Sequence, residues 1–490
     1  MEDVRRPRVE FLSPGQVELI VEKAYTTLET VGILVENEEA LELLADAGAR
    51  VSEDRLRVYL SQDLCERSVA TVPNGFELYD RNGDEAFHVG GNGTHFDPGS
   101  AATQIHDFAE QEIRAPDTAD VIDFVTVTDN LAAFEVQSTG LIPDDVPEVV
   151  ADRYRLFLAL VYGTKPIVTG TFTKDAFGTM RELLTTVRGS ADELRKRPLA
   201  VFDCCPTSPL SWSDLTAQAL IDCARAGIPA DLVPAPLIGA TSPVTLTGTI
   251  VQHTAENISG VVIHQTASAG APLVFGGAAT VFDMRKGTAP MSAVEALMVD
   301  SGYAQVGKAL AMPTHSYMGL SDAKTPDIQA GFETTLGVTL AALSGVNIVS
   351  GAGLLNYVLC QSLEKLVIDA EVCAHAKRMV EGIVFREDDA GYGSIVENAV
   401  GSSFLTSEHT RGFFRKEVYY PDQVIDRVSL GDWERDGKKT AAERAHEKVK
   451  TVLKDPGNEP LDDHVAGELE RVMAADAAAE GMATLPDWRR

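Results

Sequence analysis

The run PTHSYM (313–318) carries an imidazole, a hydroxyl and a phenol in succession at 315–317, and within a few residues GLSDAKTPDIQAGFE (319–333) adds Ser321, Asp322 and Lys324. Side chains of these types can move a proton, hold an anion or pair with a cation. Part of the second stretch has a plainer use: Thr325 suits an N-cap, Pro326 the first helical position, and Asp327 the positive end of the helix dipole. Capping leaves Ser321, Asp322 and Lys324 without a stated role. Asp322 and Lys324 either look into a site together with His315 and Tyr317 or pair with each other at its rim.

The elements that would position them follow from the hydrophobic pattern. Before residue 90 the chain reads as an amphipathic run from Pro14 to about Ala47, a helix near Ser61 to Ala70, and a hairpin in which FELYD and EAFHV flank RNGD. From residue 94 to about 352, eight short apolar or β-branched runs alternate with longer helical ones: THFD (94–97), AFEVQS (133–138), PIVTGT (166–171), LAVFDC (199–204), ADLVPA (230–235), PLVFG (272–276), PTHSYM (313–318) and NIVSG (347–351). Their starts lie roughly 30 to 40 residues apart, the period of βα units. Eight units predict an α/β fold, a closed TIM (β/α)8 barrel with helical N-terminal and C-terminal additions. The division is 1–90 as a helical and hairpin cap, 91–355 as the barrel, and 356–490 as a helical extension that is charge-rich toward its end, a solvated flange or a contact between copies of the chain. An open doubly wound sheet is the alternative, but GGNGTHFDPGS does not supply the GxGxxG phosphate loop.

In such a barrel the reactive groups collect where the strands end. That rule selects Phe96 and Asp97, Gln137 and Ser138, Thr169 and Thr171, Asp203 with Cys204 and Cys205, Pro234 and Pro236, Phe275, His315 to Tyr317, and Ser350. Phe96, Phe172, Phe275, Tyr317 and Tyr357 could box a quaternary ammonium, each ring face contributing about 0.5–2 kcal/mol, although an aromatic at a strand end equally serves the core. Metal binding is weakly signalled: His95, His106 and His253 each stand without a partnered histidine, so no metal is expected. Cys204 and Cys205 read as structural thiols. GxSxG is absent, and no lysine ends a strand to form a Schiff base.

Several long stretches narrow this further. PTHSYMGLSDAKTPDIQAGFE, GVNIVSGAGLLNYVLCQSLEKLVID, SSFLTSEHTRGFFRKE and TSPLSWSDLTAQALIDCARAGIPADLVPAPLIGATSPVTLTG resemble the trimethylamine methyltransferase family of corrinoid-dependent methyltransferases, as does the opening LSPGQVELIVEKAYTTLETVGILVENEEALELLADAGARV. The resemblance spans nearly the whole chain. It implies a TIM barrel that moves a methyl group from an amine to the cobalt of a corrinoid (cobalamin) carried by a separate cognate protein, with no cofactor held tightly by the barrel itself. Archaeal trimethylamine enzymes of the family contain pyrrolysine, whereas this chain has only the ordinary twenty residues. It therefore resembles the non-pyrrolysine branch, which implies a quaternary amine such as glycine betaine as substrate.

On that reading His315, Tyr317 and Asp322 are the candidates at the reacting centre. Phe96, Asp97, Gln137, Phe172, Phe275, Lys324, Ser350 and Tyr357 are the candidates around the substrate, with His315, Lys324 or a backbone amide meeting its carboxylate. His409, in SEHT, either folds over the mouth or is structural. A non-catalytic betaine-binding protein and a metal-dependent barrel lyase or hydrolase are the competing functions.

Composition sets outer bounds. The 490 residues are 44% hydrophobic and 23% charged, as in a globular protein, and six scattered cysteines without a CxxC suit a reducing, cytoplasmic setting. A formal charge of −31 disfavours nucleic acid as a partner. The N-terminus lacks the apolar core of a signal peptide, and no run of about 18 uncharged apolar residues is present to span a bilayer. A homo-oligomer is expected.

Overall fold

The computed structural model describes residues 6–99, 101–387, 389–400 and 403–489. Each of the eight apolar runs contains a strand: β1 His95–Phe96, β2 Gln137–Ser138, β3 Ile167–Thr169, β4 Ala200–Cys204, β5 Ala230–Leu232, β6 Leu273–Phe275, β7 His315–Ser316 and β8 Ile348–Val349. Parallel ladders join β2 to β6 in order, and β7 to β8 to β1. A parallel bridge between Phe275 and Thr314 links β6 to β7. Between β1 and β2 the ring closes just beyond the strands, where the Ala102 amide donates to the Gly140 carbonyl and the Ile142 amide to the Ala102 carbonyl. The expected TIM barrel is thus present.

Helices α1 Thr118–Asp129, α2 Glu148–Tyr162, α3 Ala176–Arg188, α4 Asp214–Ala226, α5 Leu246–Ala267, α6 Val294–Ala309, α7 Ile328–Ser344 and α8 Leu363–Val380 each follow the strand of the same number. The barrel therefore runs through α8 and not only to residue 355, because the eighth strand needs its return helix. Helix α7 begins later than Thr325 and Pro326 suggest. Asp327 is its N-cap, its carboxylate accepting from the Gln329 and Ala330 amides at 2.8 and 3.2 Å.

The additions clad the helical layer. The first amphipathic run splits into helix Pro14–Thr30, a short strand and helix Glu38–Asp46, because Gly32 takes a left-handed φ of 71° between them. These two helices and Gln62–Val69 pack on α5. That cover explains why α5 is buried on every side from Thr254 to Gln265, its polar side chains included. At the other end of the chain, Ala441–Lys454 lies on α8 and α1, and Asp463–Ala479 lies on α2 and α3. Arg153 on α2 meets Asp476 at 3.3 Å. These charge-rich helices are thus part of the barrel's outer wall. No helix among the described residues is long and apolar enough to cross a membrane.

Side-chain alternation divides the barrel interior into two floors. Val136, Val168, Val201, Val274 and Ile348 form the lower one, sealed from below by Leu78, Phe87 and Val89 of the hairpin Gly75–Tyr79/Glu85–Gly90. Two residues further along the same strands stand Ser138, Gly170, Asp203, Gly276 and Ser350, so the upper floor is polar and small. Truncating the plug tests this arrangement. Leu78→Ala is expected to lower unfolding stability by about 2–5 kcal/mol in urea titration, and a loss below about 1 kcal/mol would show that the hairpin does not fill the barrel base.

Candidate active site

Register places the charged groups of the upper floor. Asp203 pairs with Asp231 across β4 and β5, Asp231 pairs with the inward-facing Val274 of β6, and His315 pairs with the inward-facing Ile348 of β8. Asp97 follows β1. Four strand tops thus deliver Asp97, Asp203, Asp231 and His315 to one interior layer, and Ser350 joins them from the end of β8.

These groups form a chain across the barrel. His315 Nδ1 stands 2.5 Å from Asp231 Oδ2, and its Nε2 stands 2.8 Å from Ser350 Oγ. The Ser350 hydroxyl donates to Asp97 Oδ2 at 2.6 Å, while Asp97 Oδ1 accepts the Gly99 amide at 2.6 Å. Because the serine proton points at Asp97, Nε2 donates to the hydroxyl, and a second proton on Nδ1, facing the Asp231 carboxylate, makes His315 an imidazolium. Burial alone would lower its pKa, but the carboxylates of Asp231, Asp203 and Asp97 prevail and raise it to about 9. The order Ser–His–Asp has the outline of a hydrolase triad, yet a charged histidine cannot take the serine proton, so Ser350 is not an activated nucleophile.

Space for this cluster comes from Gly276. A Cβ there would lie 2.2 Å from Asp231 Oδ1 and 2.9 Å from His315 Nδ1. Behind it, the Tyr303 hydroxyl donates to the Gly277 carbonyl at 2.8 Å and fixes the top of β6.

Asp203 stands beside this chain. Its Oδ2 accepts the Tyr317 hydroxyl at 3.2 Å, and its buried Oδ1 has no hydrogen-bond partner among the described residues. Burial, then the charge of Asp231, pushes its pKa up to about 8, and burial moves Asp97 to about 6. Asp203 still reaches solvent at the open end, as do Phe172, Cys205 and Ala235. Arg155 approaches from α2. Its Nη1 donates to the Thr139 carbonyl at 2.8 Å, and its guanidinium lies 4.3 Å from the centre of the Phe172 ring. Burial lowers its pKa to about 10 against the opposing charges of Asp152, Tyr317 and Asp203.

Of the residues expected here, Asp97, His315, Tyr317 and Ser350 come together and Phe172 lies beside them. The others do not join the cluster. Phe96 and Phe275 point outward, since each is one residue out of phase with the inward set: Lys377 of α8 lies 5.4 Å from the Phe96 ring, and His253 of α5 lies 5.7 Å from that of Phe275. Gln137 also faces outward and donates to the Val125 carbonyl of α1 at 3.0 Å.

Asp322 braces two loops, accepting the Met291 and Ser292 amides at 3.2 and 2.9 Å, and does not reach the reacting centre. Lys324 is exposed, donates to the Asp322 carbonyl oxygen at 2.5 Å, and covers the Tyr357 ring at 3.8 Å, so its ammonium is not offered to a ligand carboxylate. Tyr357 sits in a loop where Asn356, Tyr357 and Val358 all have left-handed φ, 51°, 58° and 65°. Strain of about 1–3 kcal/mol per residue is the usual cost of that conformation.

His409 pairs with Glu387 at 3.0 Å. Its helix Glu408–Glu417 is tied to Arg378 in the last turn of α8, at the plugged end of the barrel, opposite the carboxylates. Cys204 is buried as a structural thiol should be, whereas Cys205 is exposed. Among the described residues no three His, Cys, Asp or Glu side chains gather as metal ligands.

Asp231 and Arg155 were not among the expected site residues. Each had a signal: a carboxylate inside the apolar strand ADL, and an arginine inside the apolar helix RYRLFLALVY.

Comparison with known proteins agrees with this architecture. The family model for trimethylamine methyltransferase (MTTB) matches residues 2–481, and the chain belongs to that family of amine methyltransferases. It is 31% identical over 473 residues to the trimethylamine methyltransferase MttB of Methanosarcina barkeri, covering 94% of each chain. It is 28% identical over 470 residues to the glycine betaine methyltransferase of Desulfitobacterium hafniense, covering 96% of this chain and 97% of that one. Among solved structures, the monomethylamine methyltransferase MtmB of Methanosarcina barkeri superposes with a TM-score of 0.50 at 10% identity, over 91% of this chain and 93% of that one, a likeness of fold.

The raised pKa of Asp203 makes a test. The folded protein keeps this proton up to about pH 8, whereas an unfolded aspartate loses it near 3.9. Between those values the folded state binds more protons, so this group's contribution to stability falls as pH rises. Asp203→Asn cannot ionise, and is expected to raise the melting temperature by a few degrees at about pH 8 and to do so less and less toward about pH 4. A difference independent of pH would refute the assignment.

Proposed function

We propose that the protein transfers a methyl group from a small quaternary amine of the betaine class to the cobalt of a corrinoid carried by a separate protein. The observation that carries this reading is the ring of strand-end carboxylates Asp97, Asp203 and Asp231, met by one imidazolium, at the open end of a barrel of this family. One anionic layer in a desolvated mouth selects a cation. An ionised carboxylate about 4 Å from a quaternary nitrogen contributes about 4 kcal/mol at an effective dielectric near 20, more than the roughly 0.5–2 kcal/mol of one aromatic face.

The chemistry asks little of the protein beyond placement. A reduced corrinoid supplies a cobalt nucleophile whose electron pair forms the new bond to carbon, while the C–N pair stays on nitrogen. The quaternary amine leaves as a neutral tertiary amine, so no proton donor is required at nitrogen. The barrel holds the amine, excludes water through its plugged base, and fixes the approach, an alignment that can remove on the order of 7 kcal/mol of barrier.

Asp203 adjusts to the charge beside it. A bound cation drives off the proton on its carboxyl, and once nitrogen has lost its charge the carboxylate takes a proton back. That attraction weakens along the reaction, so it favours binding more than rate.

The test is a substrate panel. Enzyme, reduced corrinoid protein and glycine betaine, tetramethylammonium, choline or trimethylamine are mixed, and methylation of cobalt is followed by absorbance. Methylation with quaternary amines and not with trimethylamine is expected. Binding of those amines without methylation would favour the non-catalytic reading, and turnover of trimethylamine alone would overturn the proposal. Asp203→Asn is expected to weaken quaternary amine binding about tenfold or more, the scale of losing one close charge.

A further inference from the structure

Arg155 is a buried cation with incomplete partners. Its side chain is 1% exposed, Nη1 meets one backbone carbonyl, and Nε is buried with no acceptor among the described residues. A guanidinium with five donors removed from water and given one neutral oxygen is costly. Stacking on Phe172 returns part of that cost through the ring face. The nearest carboxylate on its own helix, Asp152, is engaged elsewhere, accepting the Phe172 amide at 2.6 Å and the Arg153 amide at 2.8 Å.

The position of the group matters as much as its condition. The Thr139 carbonyl lies directly beyond β2 and Phe172 shortly beyond β3, so the guanidinium enters the mouth between those strand tops. It lies close enough to Asp203 and Tyr317 for their ionisation to raise its own pKa. The other cations once considered for this role are consumed: His315 by Asp231 and Ser350, Lys324 by Tyr357 and the Asp322 carbonyl.

From this we infer that Arg155 is the anion-binding half of the substrate site, taking a carboxylate of the amine while Asp203 faces its quaternary nitrogen. A carboxylate fits the planar guanidinium fork. Asp152 and Asp203 beside it disfavour a dianion such as a phosphate ester. A zwitterion offers one charge to each of the two groups. The inference rests on the quaternary amine reading above and specifies which member of that class the site takes.

The test measures binding by calorimetry without any corrinoid protein, so that its outcome is separate from that of methyl transfer. Wild-type protein is expected to bind glycine betaine at least tenfold more tightly than choline or tetramethylammonium. In Arg155→Gln the betaine affinity should fall about 30-fold or more, the scale of losing one buried charge-paired contact. Choline and tetramethylammonium affinities should stay within about threefold, which also reports that the variant is folded.

Phe172→Leu, which keeps the charge but removes the stacking ring, supplies a second variant with an intermediate loss for betaine only. No preference for betaine in the wild type, or equal losses for all three ligands in both variants, would overturn the assignment. Betaine selectivity lost with Arg155 while cobalt is never methylated would uphold this inference and sink the methyltransferase reading. Methylation from choline with no role for Arg155 would do the reverse.

Discussion

The interior of this barrel depends on one buried cation. His315 touches Asp231 on one side and the Ser350–Asp97 pair on the other, so its charge offsets carboxylates delivered by strands on opposite sides of the ring. Carboxylates brought this close in a desolvated layer repel one another and shed charge by holding protons, as Asp203 does. The same chain does mechanical service. Strands β1, β7 and β8 have only two residues each in their ladders, and the side chains crossing between Asp97, Ser350, His315 and Asp231 fix those ends where backbone pairing is thin. Charge balance and barrel closure are thus one arrangement.

Under the proposed function this shifts the physical basis of cation recognition. An aromatic cage is the natural expectation for a methylated ammonium, and the strand ends offer several rings. In the folded chain two of those rings face the helices, Phe172 stacks on Arg155, and Tyr357 carries Lys324 on its face. Tyr317 remains, and its phenol serves Asp203. On that proposal, carboxylates whose protonation follows the charge beside them take the place of the cage. Such groups bind a cation strongly without leaving an unpaired anion in the empty site.

The fold was readable because apolar runs of the right length recur with the βα period, a signal carried by composition and spacing. The site was less readable, because a strand end offers two neighbouring residues and only one points inward. Phe96 and Asp97 are adjacent, as are Phe275 and Gly276, and choosing between them requires the phase set by Val274, Ile348 and the plug beneath them. Once that phase is known, the alternation yields Asp203, Asp231 and Ser350 together. Arg155 lies outside that logic, since a helix residue reaching past two strand tops depends on packing distances that no periodicity encodes. The same holds for Asp322, whose polar loop sequence suggests chemistry and whose amide partners, Met291 and Ser292, lie some thirty residues away in the chain.

The hairpin beneath the barrel has a kinetic meaning. With Leu78, Phe87 and Val89 filling the base, the polar upper floor is closed from below. On the proposed function, a protein collecting the methyl group would approach from the strand-end side, the side by which the amine enters. Under that proposal turnover would be a queue: fuel enters first, the collector second, and residue leaves last.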